Sequence, residues 1–169
     1  MNIRFANPAD LDAIMVIEDE AHVSGIRESR EIFLERIETY PQGFLVATEE
    51  DKIVGYICSE LWQTEKVTSD LFTLNQVKHK PDGNTHYISS MAILQEAQSR
   101  GIGRALFKEL LTMVEIPHRV LIVGINKPRA HRIYIDAGFE PKFAIKDFFK
   151  PTFIGPYSGL VMEAVGING

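Results

Sequence analysis

Cysteine is almost absent from this chain: Cys58 is the single one in 169 residues. One thiol cannot form an internal disulfide, and its apolar, strand-like setting points to a buried structural group rather than a nucleophile. The five histidines include no pair at metal-ligand spacing, so no metal site is expected. Also missing is any uninterrupted apolar run long enough to span a bilayer, and the N-terminal MNIRFANPADLD does not read as a signal peptide. A soluble, cytoplasmic protein with no membrane partner is therefore expected. No dense stripe of Lys and Arg stands out, and the net charge is −5. That balance argues against nucleic acid and is compatible with a cationic ligand.

What is present is ordinary globular composition, 45% hydrophobic and 24% charged, at a length of about one domain. Residues 2–6 alternate as a short strand. Asn7-Pro8 can open a helix running to about His22, with Leu11, Ile14, Met15 and Ile17 on its apolar face. A second helix fits Ser29 to Thr39 and is stopped by Pro41-Gln42-Gly43. Two strand-like runs, 44–48 and 53–62, form a hairpin across a polar turn. The long polar connection from Gln63 to Asn84 is expected to be functional or mobile. A strand at 85–94 leads to a helix beginning near Ile102, with Leu106, Leu110 and Met113 on one stripe. Then come an apolar strand at 119–125, a helix at 128–137 closed by Gly138, and two more strands, 139–149 and 159–164. The order β-α-α-β-β-β-α-β-α-β-β, with no linker to divide it, predicts one mixed α/β domain over 1–169.

The connection between the 85–94 strand and its helix is the most informative segment. It delivers Gly101 and Gly103 to a helix N-terminus, where unpaired N–H groups and the positive dipole end favour an anion. The spacing excludes a Walker loop, and Leu106 stands where a dinucleotide fingerprint needs Gly or Ala. What remains is Gln98-Ser99-Arg100-Gly101-Ile102-Gly103, a Q-x-x-G-x-G loop. About one strand later, Asn126, Ala130, Tyr134 and Gly138-Phe139 follow as N-x-x-x-A-x-x-x-Y-x-x-x-G-F. Together these resemble the pyrophosphate loop and the ending of the GNAT acyl-CoA-dependent N-acetyltransferases. Within that superfamily Gly55 to Phe139 looks most like the serotonin (arylalkylamine) N-acetyltransferases, the Leu61-Trp62 pair before Glu65-Lys66 being the more specific clue.

The resemblance implies a GNAT fold, a mixed sheet of about seven strands flanked by about four helices, and acetyl-CoA as cosubstrate. Its acceptor would be a small primary amine, attacked directly. A polyamine or protein amino group, or a non-catalytic CoA-binding sensor, are the alternatives, and the protein would be a monomer or homodimer. The strand residues Met91, Ala92 and Ile93 would hold the pantetheine arm and offer N–H groups to the oxyanion. Gln98, Ser99, Arg100, Gly101, Ile102, Gly103 and Arg104 would bind the CoA phosphates, and Asn126 the arm. Tyr134 would protonate the leaving thiolate, a task suited to a phenol of pKa about 10. Where the arylalkylamine enzymes carry two histidines, this chain has Tyr87 and Ser89, with His86 displaced by one residue and so turned to the opposite face. Tyr87 or Ser89 relaying through water, or a carboxylate such as Glu18, Glu20 or Glu60, is then left to take the amine proton. His22, His79, His118 and His131 read as solvated. The aromatic residues Phe33, Trp62, Phe72, Phe148, Phe149, Phe153 and Tyr157 could line a slot for an aryl group or form ordinary core.

Overall fold

A computed structural model describes residues 1–166. Strand β1 (Asn2–Phe5) is followed by α1 (Leu11–Ala21) and α2 (Arg30–Thr39). Next come β2 (Phe44–Glu49), β3 (Lys52–Trp62), β4 (Thr85–Ile93), α3 (Ile102–Met113), β5 (Arg119–Gly124), α4 (Pro128–Asp136), β6 (Glu140–Phe149) and β7 (Tyr157–Ala164). The expected order is observed. The first helical segment is divided: Asn7 caps a short 3₁₀ turn at Pro8–Asp10 through a capping box, and α1 proper begins at Leu11. Ser29 caps α2 by accepting from the Ile32 N–H. Gly138 ends α4 with φ +89°, a conformation that needs glycine.

All seven strands form one sheet in the order β1-β2-β3-β4-β5-β7-β6. Neighbours are antiparallel except β4 and β5, which α3 connects by a crossover. That parallel pairing is brief. It covers His86↔Arg119, Tyr87↔Val120 and Ile88↔Leu121, after which the strands diverge. At the same place the register between β3 and β4 slips, from Ser59↔Ile88 to Cys58↔Ser90, leaving Ser89 as the extra residue of a bulge. A bulge bends the strand that carries it, so β4 turns away from β5 just beyond their last pair.

Alternation along β3 assigns the two faces. Tyr56 packs edge-on against Phe33 of α2, and Cys58 lies 3.8 Å from Arg36, so Tyr56, Cys58, Glu60 and Trp62 look toward α1 and α2. A side chain at Gly55 would instead meet Leu106 of α3. The main core fills both faces, with Ile14, Ile17, Phe33 and Phe44 on one side and Leu106, Phe107, Leu110 and Leu121 on the other. Met113 does not share the α3 stripe. It is 46% exposed, and Phe107 is buried there instead, against Tyr134 and Phe139.

The Gln63–Asn84 connection folds back on the end of β3. Lys80 N–H bonds the Leu61 carbonyl (2.8 Å), Asn84 N–H bonds that of Trp62 (2.9 Å), and the Leu61 N–H donates to His79 Nδ1 (3.1 Å). Its Val67 and Phe72 close a second core with Trp62, Tyr87, Val120 and Val161. Cys58 is fully buried, as expected of a structural thiol.

Leu106 carries α3 onto the sheet with no exposed surface. Leu106→Ala should therefore lower the unfolding free energy by about 2–5 kcal/mol in urea titration, the range for a buried leucine cavity. A loss below 1 kcal/mol would contradict this packing.

Candidate active site

The polar loop before α3 turns through two left-handed residues, Ser99 at φ +64° and Gly101 at φ +82°. The first helical hydrogen bond is from the Ala105 N–H to the Gly101 carbonyl. The N–H groups of Ile102, Gly103 and Arg104 consequently have no partner within the helix and point out of its positive end. A Cβ added at Gly103 would meet nothing closer than Ile133 at 3.6 Å, Met91 at 3.7 Å and Ile93 at 3.8 Å. Protein packing thus does not require glycine there; a ligand resting on the turn would.

These residues open onto a cavity of about 730 Å³ that passes through the gap between β4 and β5. One end is lined by Gln98, Ser99, Gly101, Ile102, Gly103 and Arg104, with Asn126 and Tyr134 at α4. Arg104 also pairs with Asp136 (2.8 Å), whose carboxyl is held below the usual range by that bond. Arg100 does not line the cavity; it pairs with Glu49 at 3.0 Å on the outer side of the loop. A role for Arg100 at the phosphates would need that pair to open.

The middle of the cavity is the free edge of β4, from Ser89 through Ile93. The Leu94 N–H bonds the Val54 carbonyl on β3, whereas the Ile93 carbonyl accepts from Gln98 Nε2 away from it. By alternation the backbone groups of Met91 and Ile93 point into the gap that β5 has vacated. Ser89 lines it too, its hydroxyl bonded to the Cys58 carbonyl at 3.0 Å. Tyr134 faces this edge from α4. Its ring packs on Phe107, no described residue bonds its hydroxyl, and burial pushes its pKa up to about 12. It therefore stays a proton donor. A thiolate desolvated in the same cavity becomes more basic by the same cause, which preserves the match between them.

At the far end the lining changes to Glu18, His22, Ile26, Glu28 and Leu74, with Ile122, Phe149 and Tyr157 from the C-terminal half. Glu18 and Glu28 are both buried. Glu28 is locked in a two-point bond to Arg36 (2.8 and 2.8 Å) and accepts from the Asn75 N–H (3.0 Å). Glu18 has no such cation. Its partners are the Tyr56 hydroxyl, the Glu28 N–H at 3.0 Å, and His22 at 3.7 Å. His22, expected to be solvated, is a cavity residue; its helical spacing from Glu18 was the available signal.

Several expected residues lie elsewhere. Tyr87 does not line the cavity. It stacks on Trp62 (4.0 Å between ring centres) and meets Phe72 edge-on, and burial raises its pKa. Its place as a proton relay is corrected accordingly: the ring is core. His86 is turned to the opposite face, fully buried, and burial followed by the nearby Arg119 lowers its pKa to about 3. Glu60 is buried outside the cavity, bonded to Trp62 Nε1 at 2.7 Å and to the Lys78 N–H at 3.2 Å. Glu20 accepts from the Gln95 N–H at 3.0 Å, also outside it. Of the aromatic residues, Phe149 and Tyr157 line the slot; Phe33, Trp62 and Phe72 are core, and Phe153 is 90% exposed. Among the described residues no group of three or more His, Cys, Asp or Glu is placed to hold a metal, and no helix is long and apolar enough to cross a membrane.

An N–H-rich helix terminus, a free strand edge and a facing phenol thus share one cavity. Residues 11–139 match the model of the acetyltransferase (GNAT) family, and the chain belongs to it. An uncharacterized N-acetyltransferase of Methanocaldococcus jannaschii is 28% identical over 155 residues, 89% of this chain and 85% of that protein. The serotonin N-acetyltransferase of Mesocricetus auratus is 28% identical over 107 residues, which is 61% of this chain and 49% of that enzyme. In fold, the loading GNATL domain of CurA from Lyngbya majuscula superposes with a TM-score of 0.81 at 18% identity, covering 97% of this chain and 96% of that one. The activity is acetyl-CoA-dependent N-acetyl transfer.

Gly103→Ala provides a direct check of the phosphate turn. Alanine in a helix is favoured by about 1 kcal/mol, so the melting temperature should hold or rise. The dissociation constant for acetyl-CoA, measured by calorimetry, should increase about tenfold or more, equivalent to about 1.4 kcal/mol. Unchanged affinity would place the pyrophosphate elsewhere.

Proposed function

We propose that the acceptor is a small primary amine with an apolar or aromatic group, arylalkylamine-like, and that it attacks the thioester directly. The observation that carries this reading is the continuity of the cavity: its N–H-rich end and its acidic, apolar end meet at the free edge of β4. An ammonium group would be drawn to Glu18 and Glu28, of which Arg36 neutralises one. Leu74, Ile122, Phe149 and Tyr157 would take the organic group.

Two features favour a small amine over a peptide. The α1–α2 and β6–β7 connections are joined next to this end, with the Thr152 N–H donating to the Ser24 carbonyl (2.8 Å) and the two hydroxyls 3.1 Å apart. A peptide lying across both connections would have to part them. The matched stretch of the serotonin enzyme supports the same class.

Each step then has a group to serve it. The N–H groups of Met91 and Ile93 stabilise the oxyanion, and Tyr134 delivers its proton to the departing thiolate. Gln98, Ser99 and Gly101 to Arg104 hold the phosphates, with Asn126 on the arm. Cys58 is unsuited to carry an acyl group, since it is sealed from the cavity and burial pushes its thiol up to about 11.

Thiol release from acetyl-CoA should be observed with tryptamine and phenethylamine and be far slower with spermidine, an aminoglycoside or a lysine peptide. Activity confined to the polyamine or the peptide would overturn the proposed acceptor. In Tyr134→Phe, kcat should fall by about 10²- to 10⁴-fold, as for loss of a general acid, with acetyl-CoA affinity retained. Unaltered kcat would remove Tyr134 from the proton transfer.

A further inference from the structure

We infer that Glu18 is the final acceptor of the proton lost by the attacking ammonium, and that the proton reaches it through Ser90 and Tyr56. This rests on the reading of the cavity as an amine acetylation site. Ser90 stands on the free edge of β4 and lines the cavity beside Met91. Its hydroxyl is 3.0 Å from that of Tyr56, which in turn bonds Glu18 Oε2. Hydroxyls both donate and accept, so this chain passes a proton by a concerted shift. The ammonium N–H proton goes to Ser90, the Ser90 proton to Tyr56, and the Tyr56 proton to the carboxylate. Charge balances: an ammonium and a carboxylate become a neutral amine and a carboxylic acid. No step needs another reactant.

The other carboxylates are excluded by their surroundings. Both oxygens of Glu28 are bonded to the Arg36 guanidinium, which favours its charged form and makes it a poor acceptor. Glu20 and Glu60 do not line the cavity. Around Glu18 the charged and titratable groups are His22 on its own helix, Glu28 in the α1–α2 connection, Arg36 of α2, and Tyr56 and Cys58 of β3. The burial of Glu18 also has an explanation here. A carboxylate at 1% exposure is costly to keep without a permanent cation such as the one on Glu28, yet this one sits where a cationic substrate would arrive.

The test uses the full-length protein and the amine on which the wild type turns over fastest. Glu18→Gln keeps the shape and an acceptor for the Glu28 N–H. Its kcat/KM at neutral pH should fall about 10²- to 10⁴-fold, while acetyl-CoA affinity and melting temperature stay near wild type. The sharper readout is the pH profile. The wild type, which binds ammonium and strips it, should be nearly flat around neutrality. Glu18→Gln should climb about tenfold per pH unit, because it depends on amine already deprotonated in solution. Ser90→Ala should lower kcat/KM at least tenfold with the same binding of acetyl-CoA. Turnover of Glu18→Gln within threefold of wild type, on an unchanged profile, would overturn the relay, as would wild-type turnover in Ser90→Ala. Failure of the wild type on every amine would overturn the acetylation reading and the relay with it.

Discussion

The constraint on which the rest of this structure depends is the brevity of the contact between β4 and β5. Parallel pairing over Tyr87 and its two neighbours is enough to hold the halves of the sheet together. Beyond it, each strand leaves backbone groups unpaired. Such groups are tolerated at the centre of a domain only where something else can bond them. A ligand with amide groups along its length meets that condition, and the gap is flanked on one side by a helix terminus whose unpaired N–H groups favour an anion. The bulge at Ser89 belongs to the same arrangement: it turns β4 outward and places two serine side chains on the wall of the gap.

The electrostatics of the cavity follow its geometry. Backbone N–H groups and Arg104 set a positive potential where α3 begins, whereas Glu18 and Glu28 set a negative one across the sheet. On the proposed reading, phosphate and ammonium are drawn to opposite mouths, and the thioester and the amine meet at β4. Arg36 settles the acidic end, since two unpaired buried carboxylates side by side would repel and one would be protonated. Its bond to Glu28 leaves Glu18 without a guanidinium, with His22 at 3.7 Å beside it.

The elements and the glycine turn before α3 were legible in the sequence because they depend on local rules. Glycine at a left-handed turn, a helix following at once, and Tyr134 spaced along the next helix each restrict the chain over a few residues. The acceptor end is different, being assembled from α1, the α1–α2 connection, β4, β5 and the β6–β7 hairpin. Alternation placed Tyr87 and His86 on opposite faces, as found, but says nothing about depth. Trp62 and Phe72 bury Tyr87 through contacts distant in sequence. Nor could charge pattern distinguish Glu18 from Glu20, which differ by a 200° turn around one helix; packing against Tyr56 makes the choice. Arg100 shows the same limit, because its pairing with Glu49 at the end of β2 joins residues distant in sequence.

The most direct test of the central claim is the structure of the protein with acetyl-CoA bound. The account predicts the pyrophosphate on the N–H groups of Gly101 to Arg104 and the pantetheine arm along Met91 to Ile93. The thioester sulfur should lie within hydrogen-bond reach of the Tyr134 hydroxyl, about 3–3.5 Å. Acetyl-CoA bound outside the gap between β4 and β5, or with its sulfur remote from Tyr134, would contradict it.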